Sequence, residues 1–264
     1  MLPAPPEIFV GAGDIAMCDD FGDEITGRLL DGISGTVFAL GDNAYPSGRT
    51  EDYRNCYTPS WGRHLGRTRP TPGNHDYESP GAAPYFQYFG GNAGPTGLGY
   101  YSFDLGAWHI ISLNSNVPAQ INSVQGQWLK FDLASNQNTK CTLAFWHHPL
   151  FSSGQNGDSP DMRDFWRLLY EAGADLVLVG HDHDYERFTT QDPDGRFDPV
   201  RGIREFVVGT GGGTLRPFLG AHANSEVRIA QSYGVLKLTL QTGGYQWDFV
   251  SGSGPGDSGA STCH

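Results

Sequence analysis

Positive charge is scarce in this 264-residue chain: 17 Lys and Arg stand against 29 Asp and Glu, a formal net charge of −12, and no stretch gathers the basic residues together. The electrostatic footprint of a nucleic-acid binder is therefore missing. No run of about 18 apolar residues occurs, so no segment reads as a membrane-spanning helix. The four cysteines, Cys18, Cys56, Cys141 and Cys263, form no C-x-x-C pair, which argues against a zinc knuckle or a thioredoxin-type motif. The opening residues MLPAPPE lack the charged and apolar regions of a signal peptide. By this reading the chain is either cytosolic or begins after a cleavage point. No internal repeat is visible.

What is abundant is glycine and proline, 37 and 17 residues. Many loops must connect short elements, and loops are where sites tend to sit. With 38% hydrophobic and 17% charged residues, a packed core is expected. The length suits one domain over 1–264, with a core at 7–250 and a tail at 251–264. The Pro-rich start and the SGSGPGDSG tail are low-complexity ends, poorly ordered unless stapled. Four cysteines allow three pairings. Cys18–Cys56 with Cys141–Cys263 is the expected set, since Cys263 could restrain the tail; four reduced, buried thiols are the alternative. Low Lys content and Gly/Ser/Asn-rich loops fit a secreted or periplasmic protein. The acidic balance suits a monomer or weak oligomer.

Between the ends, short apolar runs alternate with helical stretches. Strands are expected at 8–14, 36–42, 100–106, 108–114, 141–148 and 174–180, and helices at 25–32, 125–134 and 159–173. The last helix has Ser159 as N-cap, Pro160 in its first turn and Gly173 past its end. Strands then dominate at 203–209, 234–240 and 245–250. This order suggests a mixed α/β core of two sheets flanked by helices.

Polar residues of metal-ligand type recur where apolar runs end. Asp14 follows IFVGAG; Asp42 and Asn43 follow TVFALG; Asn74, His75 and Asp76 lie in TPGNHDY. His147 and His148 follow CTLAFW, and His181 and His183 follow ADLVLVG. Singly, each is explicable as a turn residue bonding its own backbone. Jointly, five such segments imply a crevice at the carboxyl ends of sheet strands. One cation cannot engage so many donors, so the pattern points to more than one ion.

The ordered set GD (13–14), GDNAY (41–45), GNHD (73–76), HHP (147–149) and GHDH (180–183) resembles the signature of calcineurin-like metallophosphoesterases. The resemblance implies an α/β/β/α sandwich and a dinuclear-metal hydrolase of phosphate esters, with a metal-activated hydroxide attacking phosphorus. Many members have a ligand His in the first motif, where this chain has Ala16. Tyr45 and the run GHDHDYER instead resemble the purple acid phosphatases. That likeness implies one metal at Asp14, Asp42, Tyr45 and His183, and a second at Asp42, Asn74, His147 and His181. Hard anionic oxygens favour Fe(III) in the first place; Zn, Mn or Fe(II) suits the second. By the same likeness His75 contacts phosphate or protonates the leaving alkoxide, and Asp76 holds the His75 ring. His148 either contacts phosphate or orients a ligand.

The expected substrate is a small-molecule phosphate monoester. A phosphodiesterase or nucleotidase on the same site, or a non-catalytic extracellular binding protein, is the competing reading. Outside the site, His109 reads as a satisfied core residue, His64 as a surface helix residue, and His222 as a loop residue able to rim the cleft; His264 is terminal. GTGGGT (209–214) lacks the Lys and following helix of a P-loop and reads as a loop bordering the pocket. Trp61, Tyr185 and PYFQYFG (84–90) read as packing aromatics.

Overall fold

The computed structural model describes residues 5–137 and 139–264. The chain begins with three parallel strands, β1 (Glu7–Ala12), β2 (Thr36–Leu40) and β3 (Thr68–Thr71). Next come the seven strands of a second sheet: β4 (Tyr101–Leu105), β5 (Trp108–Ser112), β6 (Cys141–Phe145), β7 (Leu176–Val179), β8 (Tyr185–Phe188), β9 (Arg204–Val208) and β10 (Ser225–Ile229). The chain then returns to the first sheet with β11 (Gly234–Gln241), β12 (Gly244–Ser251) and β13 (Asp257–Thr262). The strand orders are β13-β12-β11-β1-β2-β3 and β10-β8-β9-β7-β6-β5-β4. Within the second sheet β5, β6, β7 and β9 run parallel. Both sheets are mixed, as the sequence pattern predicts.

The period-two alternation of side chains builds two layers from one sheet. Leu143 and Phe145 of β6 and Leu176 and Leu178 of β7 face the first sheet, where Phe9, Phe38 and Leu238 meet them. Ala144, Val177 and Val179 face the other way, under Leu129 of the helix Val124–Ser135 and Phe165, Trp166 and Leu169 of the helix Arg163–Ala172. The helix Gly22–Asp31 covers β11 on the far side of the first sheet. Helices thus flank two sheets, and the parallel strands of both sheets end at one edge.

Several local readings shift. Helix 159–173 is a 3₁₀ turn, Pro160–Met162, leading into Arg163–Ala172. Ser159 gives no side-chain cap; its carbonyl accepts from Met162 N–H instead. Gly173 closes the helix at φ 77°, the left-handed C′ position that suits glycine. Strand β3 escapes the pattern because it is four residues long and holds Pro70; it lies at the sheet edge, where a missing N–H is tolerated. The 251–264 tail carries β13, and Cys141–Cys263 joins it to β6. Cys18–Cys56 is the other disulfide, so the expected pairing is the one formed. No helix of the described residues is long and apolar enough to cross a membrane.

Candidate metal centre

Five turns, each following a parallel strand, deliver the donors. Asp14 follows β1, Asp42 and Tyr45 follow β2, Asn74 follows β3, His147 follows β6, and His181 and His183 follow β7. Asp14, Asp42 and His181 hold left-handed backbone at φ 57°, 49° and 71°. Such a conformation costs a non-glycine residue on the order of 1–3 kcal/mol and persists only where the surroundings over-determine it. Here the turns lock one another. Asp14 N–H donates to the Gly41 carbonyl at 3.0 Å and Ile15 N–H to the Asp42 carbonyl at 2.9 Å. His181 N–H donates to Asp14 Oδ2 at 2.8 Å. Approach is close enough to demand glycine at two points. A Cβ on Gly180 would stand 2.7 Å from Asp14 Oδ2, and one on Gly73 would stand 2.2 Å from Asp42 Oδ1.

Two donor sets result. In the first, Tyr45 Oη lies 3.0 Å from Asp14 Oδ1, 3.3 Å from Asp42 Oδ2 and 3.1 Å from His183 Nε2. In the second, His147 Nε2 lies 3.1 Å from Asn74 Oδ1, 3.3 Å from Asp42 Oδ2 and 3.2 Å from His181 Nδ1. Asp42 Oδ2 reaches both. Ligand atoms of Asp14, Asp42 and His147 fall within 4.8 Å of one another, as do those of His147, His148 and His181.

The proton count shows what this cluster fits. His183 Nδ1–H donates to the Thr214 carbonyl at 2.8 Å, and His147 Nδ1–H to the Leu40 carbonyl at 2.7 Å. Each contact engages Nδ1 and aims Nε2 inward. Burial, reinforced by Asp14 and Asp42, pushes the Tyr45 phenol well above its ordinary range, so one proton serves three acceptors. Burial opposes charge on His147, but Asp42 outweighs it and lifts that imidazole to about 9. Burial and the neighbouring His147 depress His181 to about 2. Lone pairs and carboxylates outnumber protons, and cations at the two sets satisfy all of them. The residues present therefore fit a dinuclear metal group.

Around the donors, His75 Nδ1–H donates to the Pro46 carbonyl at 2.6 Å, and its Nε2 stands 3.8 Å from Asp42 Oδ2. The expectation that Asp76 holds this ring is overturned. Asp76 turns back to Gly73 N–H at 2.8 Å, Asn43 Nδ2–H at 2.9 Å and Tyr53 Oη–H at 2.5 Å. The physical reason is helical geometry: 74–77 form a helical turn, on which adjacent residues do not face each other. Burial, then Asp42, raises Asp76 to about 6. His148 packs its ring 4.4 Å from that of His181, and burial with His147 lowers its pKa to about 3. Ser115 Oγ accepts from His148 N–H at 3.2 Å and donates to its Nδ1 at 2.8 Å, which leaves Nε2–H as the ring's remaining donor.

The remaining histidines lie away from the donors. His109 sits between Asp104 and Asp132, at 3.1 and 2.7 Å, a satisfied core residue as read. His64 is buried rather than superficial, against Gly27 and Asp31, because the turn Trp61–Arg67 packs on the helix Gly22–Asp31. His222 pairs with Asp158 at 3.0 Å, and the backbone N–H of His264 binds Asp175. Trp61 is buried, Tyr185 stacks on Phe249, and 84–89 belongs to the helix Ala83–Phe89, whose Tyr85, Phe86 and Phe89 join the core. The 209–214 loop borders the site: Gly211 and Gly213 N–H donate to the Gly13 and Asp14 carbonyls at 2.9 and 2.7 Å. Ser115 and the Leu40, Pro46 and Thr214 carbonyls are the supporting groups that sequence reasoning missed. Asn43, named in the sequence among the ligand-type residues, instead supports Asp76 through its Nδ2–H.

The model of the calcineurin-like phosphoesterase family matches residues 8–185. Purple acid phosphatase 21 of Arabidopsis thaliana is 33% identical over 208 residues, covering 69% of this chain and 45% of that protein. Purple acid phosphatase 18 of the same plant is 30% identical over 230 residues, covering 78% and 50%. The chain thus spans about half the length of these curated relatives. The solved purple acid phosphatase PPD1 from yellow lupin seeds shares the fold, with a TM-score of 0.80 at 18% identity over 98% of this chain and 54% of that one. Motif order, the convergence of five turns and the family match agree: the chain belongs to the calcineurin-like phosphoesterases.

Proposed function

We propose that the chain hydrolyses phosphate monoesters at a dinuclear metal centre of purple acid phosphatase type. The observation that carries this reading is the pair of inward-facing donor sets sharing Asp42. Asp14, Asp42, Tyr45 and His183 would hold one ion, and Asp42, Asn74, His147 and His181 the other. Two carboxylates, a phenol and one imidazole suit Fe(III); an amide oxygen and two imidazoles beside the shared carboxylate suit Zn, Mn or Fe(II). When bound, the ions lower the pKa of the attacking water and neutralise charge on the phosphoryl oxygens.

The chain's own groups do the rest. His75, anchored through Nδ1, keeps Nε2 free to bind a phosphoryl oxygen or return a proton to the leaving alkoxide. His148, neutral and oriented by Ser115, donates Nε2–H to the substrate. Asp76 joins the 41–45 and 73–76 turns and so sets the distance between the donor sets. The two disulfides fit an oxidising compartment outside the cytosol.

Metal analysis of purified protein, with p-nitrophenyl phosphate and bis-p-nitrophenyl phosphate as substrates, tests this reading. Two bound ions, iron among them, and faster turnover of the monoester are expected. A visible band that Tyr45→Phe abolishes would place iron at the phenol. Protein that retains two ions but hydrolyses neither ester would sink the enzymatic reading.

A further inference from the structure

A second cluster of ligand-type atoms lies at the other end of the second sheet. Cys141 is the first residue of β6, and Asp175 immediately precedes β7; His147, His181 and His183 follow the far ends of the same two strands. β13 carries Cys263 and His264 back to these strand starts. A five-residue strand such as β6 is about 17 Å long, so this cluster is separate from the dinuclear centre. Cys141 Sγ, Cys263 Sγ and a carboxylate oxygen of Asp175 fall within 4.8 Å of one another. A fourth donor adjoins them: His264 Nδ1 stands 3.5 Å from Asp175 Oδ1.

The carboxylate is held in place before any metal arrives. Oδ2 accepts from Thr142 N–H at 2.8 Å and Oδ1 from His264 N–H at 3.0 Å, and each oxygen keeps a second lone pair. Burial raises the pKa of Asp175, and His264 is its one ion-pair partner among the described residues. The sulfurs are joined in the oxidised chain. Cys263 is only half-buried, so a dithiol can reach the bond. It would supply two electrons and two protons, close to a disulfide itself and leave two thiols on the chain. Two thiolates, a carboxylate and an imidazole form an S2NO set suited to tetrahedral Zn(II), and soft sulfur selects zinc over magnesium or calcium. Zn–S bonds of about 2.3 Å place the sulfurs about 3.8 Å apart, a gap that side-chain rotation can open between Cα atoms 5.6 Å apart. The side chain of His264, 26% exposed, leaves the ion a way in. The C-x-x-C spacing that marks zinc sites in a sequence is absent because sheet pairing, over 122 residues, brings the donors together.

We propose that the reduced chain binds one Zn(II) through Cys141, Asp175, Cys263 and His264, where the ion replaces the disulfide in holding the C-terminal strand to β6. Binding expels the two thiol protons. The site stands whether or not the dinuclear centre hydrolyses esters.

Cobalt(II) titration of the full chain tests this, after reduction with a dithiol that is then removed without air. The dinuclear donors include no sulfur, so thiolate-to-cobalt absorbance in the near ultraviolet reports the cysteines alone. One equivalent of cobalt should produce that band in reduced protein and none in oxidised protein, and zinc should displace it. The band should persist in Cys18→Ser with Cys56→Ser and vanish in Cys141→Ser with Cys263→Ser. Asp175→Asn and His264→Gln should each weaken cobalt binding about tenfold or more, at least the loss that follows removal of a partner outside the ligand shell. That dependence separates a site built by the fold from two loose thiols on an unfolded chain. Zinc should also slow alkylation of Cys141 and Cys263, read residue by residue by mass spectrometry, and leave Cys18 and Cys56 reactive. A reduced protein without the band, a band that survives loss of Cys141 and Cys263, or cobalt binding indifferent to Asp175 and His264 overturns the proposal.

Discussion

Asp76 ties together two turns that share no backbone hydrogen bond through it: Gly73 and Asn43 on the ligand loops, and Tyr53 behind them. Asp76→Ala leaves those donors buried and unpaired, which costs about 2 kcal/mol or more at pH 7. The penalty should be larger at pH 5. Burial, then Asp42, holds the folded-state pKa near 6, above the unfolded 3.8. A group raised in this way stabilises below its unfolded value and loses that contribution as pH rises through 6. Urea unfolding of metal-free protein at the two pH values checks the sign. Metal affinity should fall about 10- to 100-fold, as for other partners that orient ligands. Residue identity alone could not assign this role. The donor types stood out because Asp, Asn and His recur after apolar runs, but the direction of a side chain on a helical turn is set by geometry. The carbonyls of Leu40, Pro46 and Thr214, which engage the ring Nδ1 atoms, carry no residue signature at all.

At the scale of elements, strands with apolar alternation were legible and those without it were not. Strand β13 reads DSGAST, with no large apolar residue, so the sequence could offer only a loose tail. It is held by pairing with β12, by Asp257 accepting from Tyr185 Oη–H, Arg187 Nε–H and Trp247 Nε1–H, and by the disulfide to β6. Cys141–Cys263 spans 122 residues, and long closed loops gain most from a cross-link. Cys263→Ser should cost about 2–5 kcal/mol, a fall in Tm of roughly 5–15 °C for a chain of this size. Because β13 lies at the sheet edge, proteolysis near 252–256 should precede global unfolding in that variant. A calorimetric scan with a mass-spectrometric digest shows both. A Tm within a degree or two of the wild type would assign the restraint to Asp257 instead.

Across the whole molecule, a chain of net charge −12 repels the phosphate esters it is proposed to bind, and the donor cluster adds carboxylates to that field. Cations resolve both problems, so metal uptake should appear in stability and in proton balance together. Free metal at about 100 times its dissociation constant contributes about 2.7 kcal/mol to the folded state, a rise in Tm of roughly 5–10 °C. The proton balance is more specific. Burial resists charge on His147, yet Asp42 prevails and lifts its pKa to about 9 in the metal-free protein. That value lies above the unfolded 6.5, so the proton stabilises the metal-free fold below pH 6.5, and the contribution vanishes as pH rises through 9. A metal taking Nε2 must expel that proton. Zinc titrated into metal-free protein at pH 7 in weak buffer should therefore release close to one proton from His147, and the release should fade as pH approaches 10. Chelation should reverse both the Tm gain and the proton count. Release that is absent at pH 7, or constant from pH 7 to 10, would mean that the ions settle somewhere other than between Asp42 and His147.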